Sequence, residues 1–119
     1  LIMKPAPHEA KPVQAEIKPP VFVELEPFTV NLDAEHILQT SIQLQMHAEE
    51  DAEQIKRYLP QVRSRLLMLI STRSADALKT SEGKEALMQD ISARLRQPFV
   101  NGLKAIAIDG VYFTAFVIQ

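Results

Sequence analysis

Three histidines, thirteen lysines and arginines and fifteen aspartates and glutamates are the side chains of this 119-residue chain that could do acid–base, metal or electrostatic chemistry, and cysteine is absent. Without thiols there is no thiolate nucleophile, no disulfide scaffold and no cysteine-based zinc site. His8, His36 and His47 are far apart in sequence, and none has a second metal-type ligand at a helical or hairpin spacing, so they read as separate surface histidines and no metal site is expected. The one carboxylate cluster is Glu49, Glu50, Asp51 and Glu53. A glycosidase-like pair needs one carboxyl kept protonated by burial. A cluster at a helix start is instead ionised and solvated, favoured by the helix dipole. No P-loop, Rossmann glycine fingerprint, nucleophile elbow or HExxH pair occurs, and three glycines leave little backbone able to cradle phosphate. No catalytic residue, cofactor or small-molecule substrate is therefore expected. Lys56, Arg57, Arg63 and Arg65 flank one helical segment. Such a stripe could touch phosphate, but it fits better as the solvated face of an amphipathic helix whose neighbouring acids reduce the local field.

A net charge of −2 and a pI near 5.9 leave no basic footprint for nucleic acid. With 46% hydrophobic and 24% charged residues, the chain has the make-up and size of one folded domain. A unit of roughly 100 residues buries about two-thirds of its unfolded surface, so it needs no staple, and the absence of cysteine does not fix the compartment. Residues 1–20 hold five of the eight prolines and no glycine. They read as an extended spacer, whose residues 4–20 would reach about 50 Å at ~3.1 Å each, serving either as a disordered tail or as a stalk. The opening Leu1-Ile2-Met3-Lys4 reads either as the interfacial end of a transmembrane helix or as an arbitrary cut.

The folded part should be residues 21–119. In VFVELEPFTVNL, Val21, Val23 and Leu25 share one face, the phase slips at Pro27, and Phe28, Val30 and Leu32 share the next, which predicts a strand broken near Glu26-Pro27. Turn residues 31–35 lead into a second strand over 37–47, with Leu38, Thr40, Ile42, Leu44 and Met46 inward, antiparallel to the first. Asp51 and Gln54 fit a capping box. Ile55, Leu59, Val62, Leu66, Leu69 and Ile70 predict a helix to about Thr72, either kinked at Pro60 or with its strong part starting there. A short capped turn at Ser74 follows. Thr80 or Ser81 then caps a helix carrying Leu87, Ile91 and Leu95, with Met88 beside them, that ends at Gln97-Pro98, and Asn101-Gly102 turns the chain. Asp109-Gly110 is a hairpin signal, although 103–118 could equally be one long strand. Val111, Phe113, Ala115 and Val117 fall on one face and Tyr112, Phe116 and Ile118 on the other, which predicts a central strand or an outer face covered by a partner. The expected fold class is α+β: a small antiparallel-type sheet packed on two helices in the order β-β-α-α-β.

Three segments in this order resemble the flagellar basal-body-associated FliL family: Glu26-Pro27-Phe28-Thr29-Val30-Asn31-Leu32; Leu59-Pro60-Gln61-Val62-Arg63 with Gly83-Lys84-Glu85-Ala86-Leu87 downstream; and the ending Val111-Tyr112-Phe113-Thr114-Ala115-Phe116-Val117-Ile118-Gln119. Ala115 departs from the pattern, since relatives more often place a polar residue there. The resemblance implies a bacterial inner-membrane protein, with residues 1–20 as a juxtamembrane linker after a single transmembrane helix and a periplasmic domain over 21–119 similar to the stomatin-like (SPFH) fold. It also implies a non-catalytic motor accessory, located at the basal body, that forms homo-oligomeric rings around the stator units and supports motility and swarming under load.

A ring needs two complementary patches. Glu49, Glu50, Asp51 and Glu53 on one side and Lys56, Arg57, Arg63 and Arg65 on the other are the candidates for that interface, against the alternative that all are merely solvated. A generic stomatin-like membrane scaffold without a flagellar role is the second reading. An enzyme or small-ligand binder is the third, and it would need a pocket with convergent polar groups.

Overall fold

The computed structural model describes residues 17–119. Of the expected spacer only residues 17–20 are described, exposed and outside any helix or strand; the readings of residues 1–16, including the opening Leu1–Lys4, lie outside the described residues.

The four strands are β1 (Val21–Glu24), β2 (Phe28–Asn31), β3 (Ile37–Met46) and β4 (Ile108–Ile118), and the four helices are α1 (Glu49–Arg57), α2 (Leu59–Ile70), α3 (Ala75–Leu78) and α4 (Ser81–Arg96). The class is α+β, as expected, with every strand pair antiparallel. The order differs from the expected β-β-α-α-β, because the first strand is two strands and the two helices are four.

β3 is the centre of the sheet. Leu38, Thr40, Ile42, Leu44 and Met46 all point inward and are buried, as their alternation predicts. β1 and β2 lie one after the other along one side of β3, and β4 lies along the other. Leu25 still bonds Ile42, whereas Phe28 is already opposite Thr40. Glu26 and Pro27 therefore share the level of Ser41, a one-residue bulge that accommodates a proline with no donor and shifts the phase of the inward residues.

β4 makes the same adjustment on the other side. Phe113 opposes Ile42 and Ala115 opposes Ser41, so Thr114 is extra; Gly110 opposes Gln45 and Ile108 opposes Met46, so Asp109 is extra. This corrects three expectations. Asp109-Gly110 is a bulge inside one long strand and not a hairpin turn. The inward set changes phase at Thr114, from Val111 and Phe113 to Phe116 and Ile118, so the two faces read by strict alternation are wrong beyond it. β4 is an edge strand, and the central one is β3.

The helices cover one face of the sheet and share its core through Ile55, Val62, Leu66, Ile70, Leu78, Leu87, Ile91 and Leu95. The expected long helix breaks at Tyr58, and Pro60 sits in the first turn of α2, where a missing N–H costs nothing. The Asp51–Gln54 capping box does not form. α1 starts after Ala48, Gln54 Oε1 is buried without a partner among the described residues, and Asp51 instead accepts a bond from the Ala107 N–H at 3.0 Å. Long-range pairing with the strand entry outcompetes the local cap.

Ser74 and Thr80 do cap α3 and α4, accepting from the Ala77 and Gly83 N–H groups. An ideal Cβ at Gly83 would lie 1.8 Å from the Ala77 carbonyl oxygen, which is backbone and cannot step aside. Gly83→Ala should therefore destabilise the domain by about 1–3 kcal/mol despite the better helix propensity of alanine. A urea midpoint unchanged or raised in the variant would contradict this packing of α3 on α4.

Candidate functional site

The eight charged residues singled out as an interface separate into two kinds. Glu49, Glu50 and Glu53 at the start of α1 and Lys56 and Arg57 at its end are exposed; Lys56 Nζ reaches Glu53 at a loose 3.9 Å. Glu49 and Arg57, the ends of this nine-residue helix, lie about 12 Å apart along its axis, whereas Glu53 and Lys56 are neighbours on one face. Asp51, Arg63 and Arg65 are half-buried and bond this chain's own backbone.

Arg63, on α2, donates to the Glu26 and Pro27 carbonyls at 2.6 and 3.1 Å, and its guanidinium lies 4.1 Å from the centre of the Phe28 ring. The bulge at Pro27 turns those carbonyls out of the ladder, and the fork of Arg63 takes them up. Arg65, two residues and so about 200° further round α2, donates to the carbonyls of Arg94 (3.1 Å), Gln97 (2.6 Å) and Pro98 (2.9 Å). It stacks 4.3 Å over Phe99, which itself stacks on Tyr58 at 5.4 Å. A cation on the exposed carbonyls of a helix C-terminus is also favoured by the dipole. Sequence spacing places both arginines beside Lys56 and Arg57 but carries no sign of these distant carbonyl partners.

Elsewhere three further pairs of ionisable side chains meet. Arg73 pairs with Asp90. The Glu35 amide, and then the His36 ring, hold the Asp33 carboxyl below the usual carboxylate range in the β2–β3 turn. His47 Nδ1 lies 3.3 Å from Asp109, both exposed. Among the described residues no three histidine or acidic side chains converge on a point that could hold a metal.

Two further surfaces lack a cover among the described residues; alternation along residues 37–47 already predicts the first, whereas the second, a sheet edge, has no signal in the sequence. The outer sheet face carries Gln39, Ser41, Gln43 and Gln45 beside Phe22 and Tyr112, whose rings meet edge to face at 6.3 Å; the Tyr112 hydroxyl donates to Gln45 at 3.0 Å. The second surface is the free edge of β4, which flanks an open groove against α4 lined by Glu82, Glu85, Ala86, Met88, Gly110 and Val111. Such an arrangement can hold a protein surface or an extended chain. It offers no buried polar cluster for bond chemistry.

Comparison with known proteins identifies the family. The family described as flagellar basal body-associated protein FliL matches residues 22–119. Flagellar protein FliL of Escherichia coli (strain K12) is 40% identical over 110 residues, spanning 92% of this chain and 71% of that protein. Flagellar protein FliL of Aquifex aeolicus (strain VF5) is 29% identical over 96 residues, spanning 78% and 57%, and that of Bacillus subtilis (strain 168) is 24% identical over 97 residues, spanning 82% and 66%. The chain belongs to the FliL family of flagellar basal body-associated proteins.

Arg65→Lys should lower stability by about 1–2 kcal/mol, because a point charge cannot bond three carbonyls and stack at once. Amide exchange should quicken at residues 97–103 first. Wild-type protection there in the lysine variant would show that the fork does not hold the loop.

Proposed function

We propose that this domain is a non-catalytic accessory of the flagellar motor, which assembles with its own copies around the stator units and keeps them engaged when load is high. The observation that carries the reading is the family match over residues 22–119, which takes in all four helices and all of the described sheet but Val21. The surfaces support it: exposed charges, an uncovered sheet face and a free edge are suited to protein contacts. The proposed place is the periplasmic face of the bacterial inner membrane, with residues 1–20 as the linker to a transmembrane helix, the stator proteins as partners and a stomatin-like mode of assembly. No helix among the described residues is long and apolar enough to cross a membrane.

Within the ring, Glu49, Glu50 and Glu53 of one copy are proposed to meet Lys56 and Arg57 of the next. Asp51, Arg63 and Arg65 belong to the same proposed surface, but their side chains already hold this chain's backbone. Charge reversal at Arg63 would therefore disturb the fold as well as any contact, and Lys56→Glu with Arg57→Glu is the cleaner probe. Exposed pairs contribute ~0–1 kcal/mol each, so assembly of the full-length double variant in membranes should weaken by about fivefold to tenfold, more at low salt. Unchanged assembly would remove these charges from the interface.

Cells lacking the gene should swim in dilute medium and fail to swarm or to rotate against viscous load, and in-cell crosslinking of the full-length protein should recover stator subunits. Normal swarming together with non-flagellar neighbours would favour a general membrane scaffold and overturn the motor reading.

A further inference from the structure

Among the described residues β4 pairs with β3 alone, so its far side is a strand edge. Ile37 and Gln119 exchange both backbone bonds, and His47 donates to Ala107. Alternation between those two anchors, with one extra residue at Thr114 and one at Asp109, turns the backbone groups of Val111, Phe113 and Ile108 away from β3. At Ile108 the outward carbonyl is already satisfied, by Arg96 of α4 at 3.1 Å. Beyond it the two bulges bracket a regular stretch, Gly110–Phe113, beside the groove whose other wall is α4. Bulges are how natural sheets limit an edge. Here they limit it to a length that one short strand would fill.

Residues 1–20 offer one candidate by sequence. Val13-Gln14-Ala15-Glu16-Ile17-Lys18 is their longest proline-free run. It alternates Val13, Ala15 and Ile17 with Gln14, Glu16 and Lys18, a pattern that serves a strand and not a bare spacer. Ile17 is 97% exposed, a large β-branched side chain that none of the described residues covers. Lys11 and Lys18 bracket the run, opposite in sign to Glu82, Glu85 and Asp109 around the groove. The run leads through Pro19-Pro20 into β1, which lies on the opposite side of β3 from β4. Lys18, Pro19 and Pro20 line a hollow with His47 and Asp109, and Val21 is level with Met46 and Ile108, so the run before them points past the end of the sheet. To lie along Gly110–Phe113 of its own β4 it would have to reverse at a stiff diproline.

We propose that residues 13–18 of one copy add as a strand to the β4 edge of the next copy, with Val13, Ala15 and Ile17 facing Ala86 and Met88 on α4. Strand addition gives main-chain bonds for affinity and alternate side chains for register. Because donor and acceptor surfaces differ, the contact is head-to-tail and propagates into a ring. This rests on the homo-oligomeric reading above and adds a main-chain contact to the charged one proposed there.

These 119 residues contain no cysteine, so within them every thiol is one that is introduced. In the full-length protein in its own membranes, single cysteines placed in turn at 13–18 are combined with Asp109→Cys or Thr114→Cys and oxidised. Disulfides need Cα atoms about 4.4–6.8 Å apart. Alternate donor positions should give intermolecular adducts at least about tenfold above a control pair using Glu35→Cys, and Ala15→Pro should abolish them by removing a donor. Adducts confined within one chain, or adducts unaffected by Ala15→Pro, overturn the proposal. If no adduct forms while an amine-reactive crosslinker still yields the oligomer, the strand addition is wrong and the ring stands; if neither reagent yields an oligomer, both are wrong.

Discussion

Every strand of this sheet hangs on β3. Its ten residues are hydrogen-bonded on both sides, and its inward row from Leu38 to Met46 is the floor of the core. Because the side-chain period is two, a one-residue slip of β3 would turn that whole row to water. Both neighbours conform to it. β1–β2 and β4 each carry one extra residue at the level of Ser41, so the sheet bends there from both sides. Thr40, the one polar side chain in the buried row, donates to the Ala115 carbonyl at 2.7 Å just past the bulge and is thereby satisfied.

The bulges create the need that the arginines answer. A chain bent out of its ladder exposes carbonyls, and a helix that ends at Gln97-Pro98 exposes more. Arg63 takes the first set and Arg65 the second, each stacked on an aromatic ring that limits its freedom. Thus a stripe of four basic residues on one helical segment has two jobs. Lys56 and Arg57 face solvent at the end of α1, while the pair on α2 ties the helical layer to both the broken strand and the loop before β4.

What is left over is the surface on which a motor accessory would act. The acids and bases at the two ends of α1, the amide-rich outer face and the β4 edge are in different places on the domain. That distribution suits a protein that meets more than one neighbour. Nothing in the described residues concentrates ionisable groups in a water-excluded pocket, the condition that catalysis by acid–base or nucleophilic chemistry demands.

How much was written in the sequence depends on the range of the interaction concerned. Short-range features were legible: the inward rows of β1, β2 and β3, the break at Glu26-Pro27, the caps at Ser74 and Thr80, and the stripe Leu87, Ile91 and Leu95 all follow from periods of two and 3.6 or from a side chain reaching three residues on. The linear order of FliL-like segments likewise identifies the family. Tertiary structure alone decided that Asp51 bonds Ala107 in place of a cap, that Asp109-Gly110 continues a strand, that β4 lies at an edge, and that Arg63 and Arg65 have carbonyl partners about thirty positions away. In each case the deciding bond joins groups distant along the chain, and local propensity says nothing of which distant carbonyl or amide will be left without a partner until the sheet has formed.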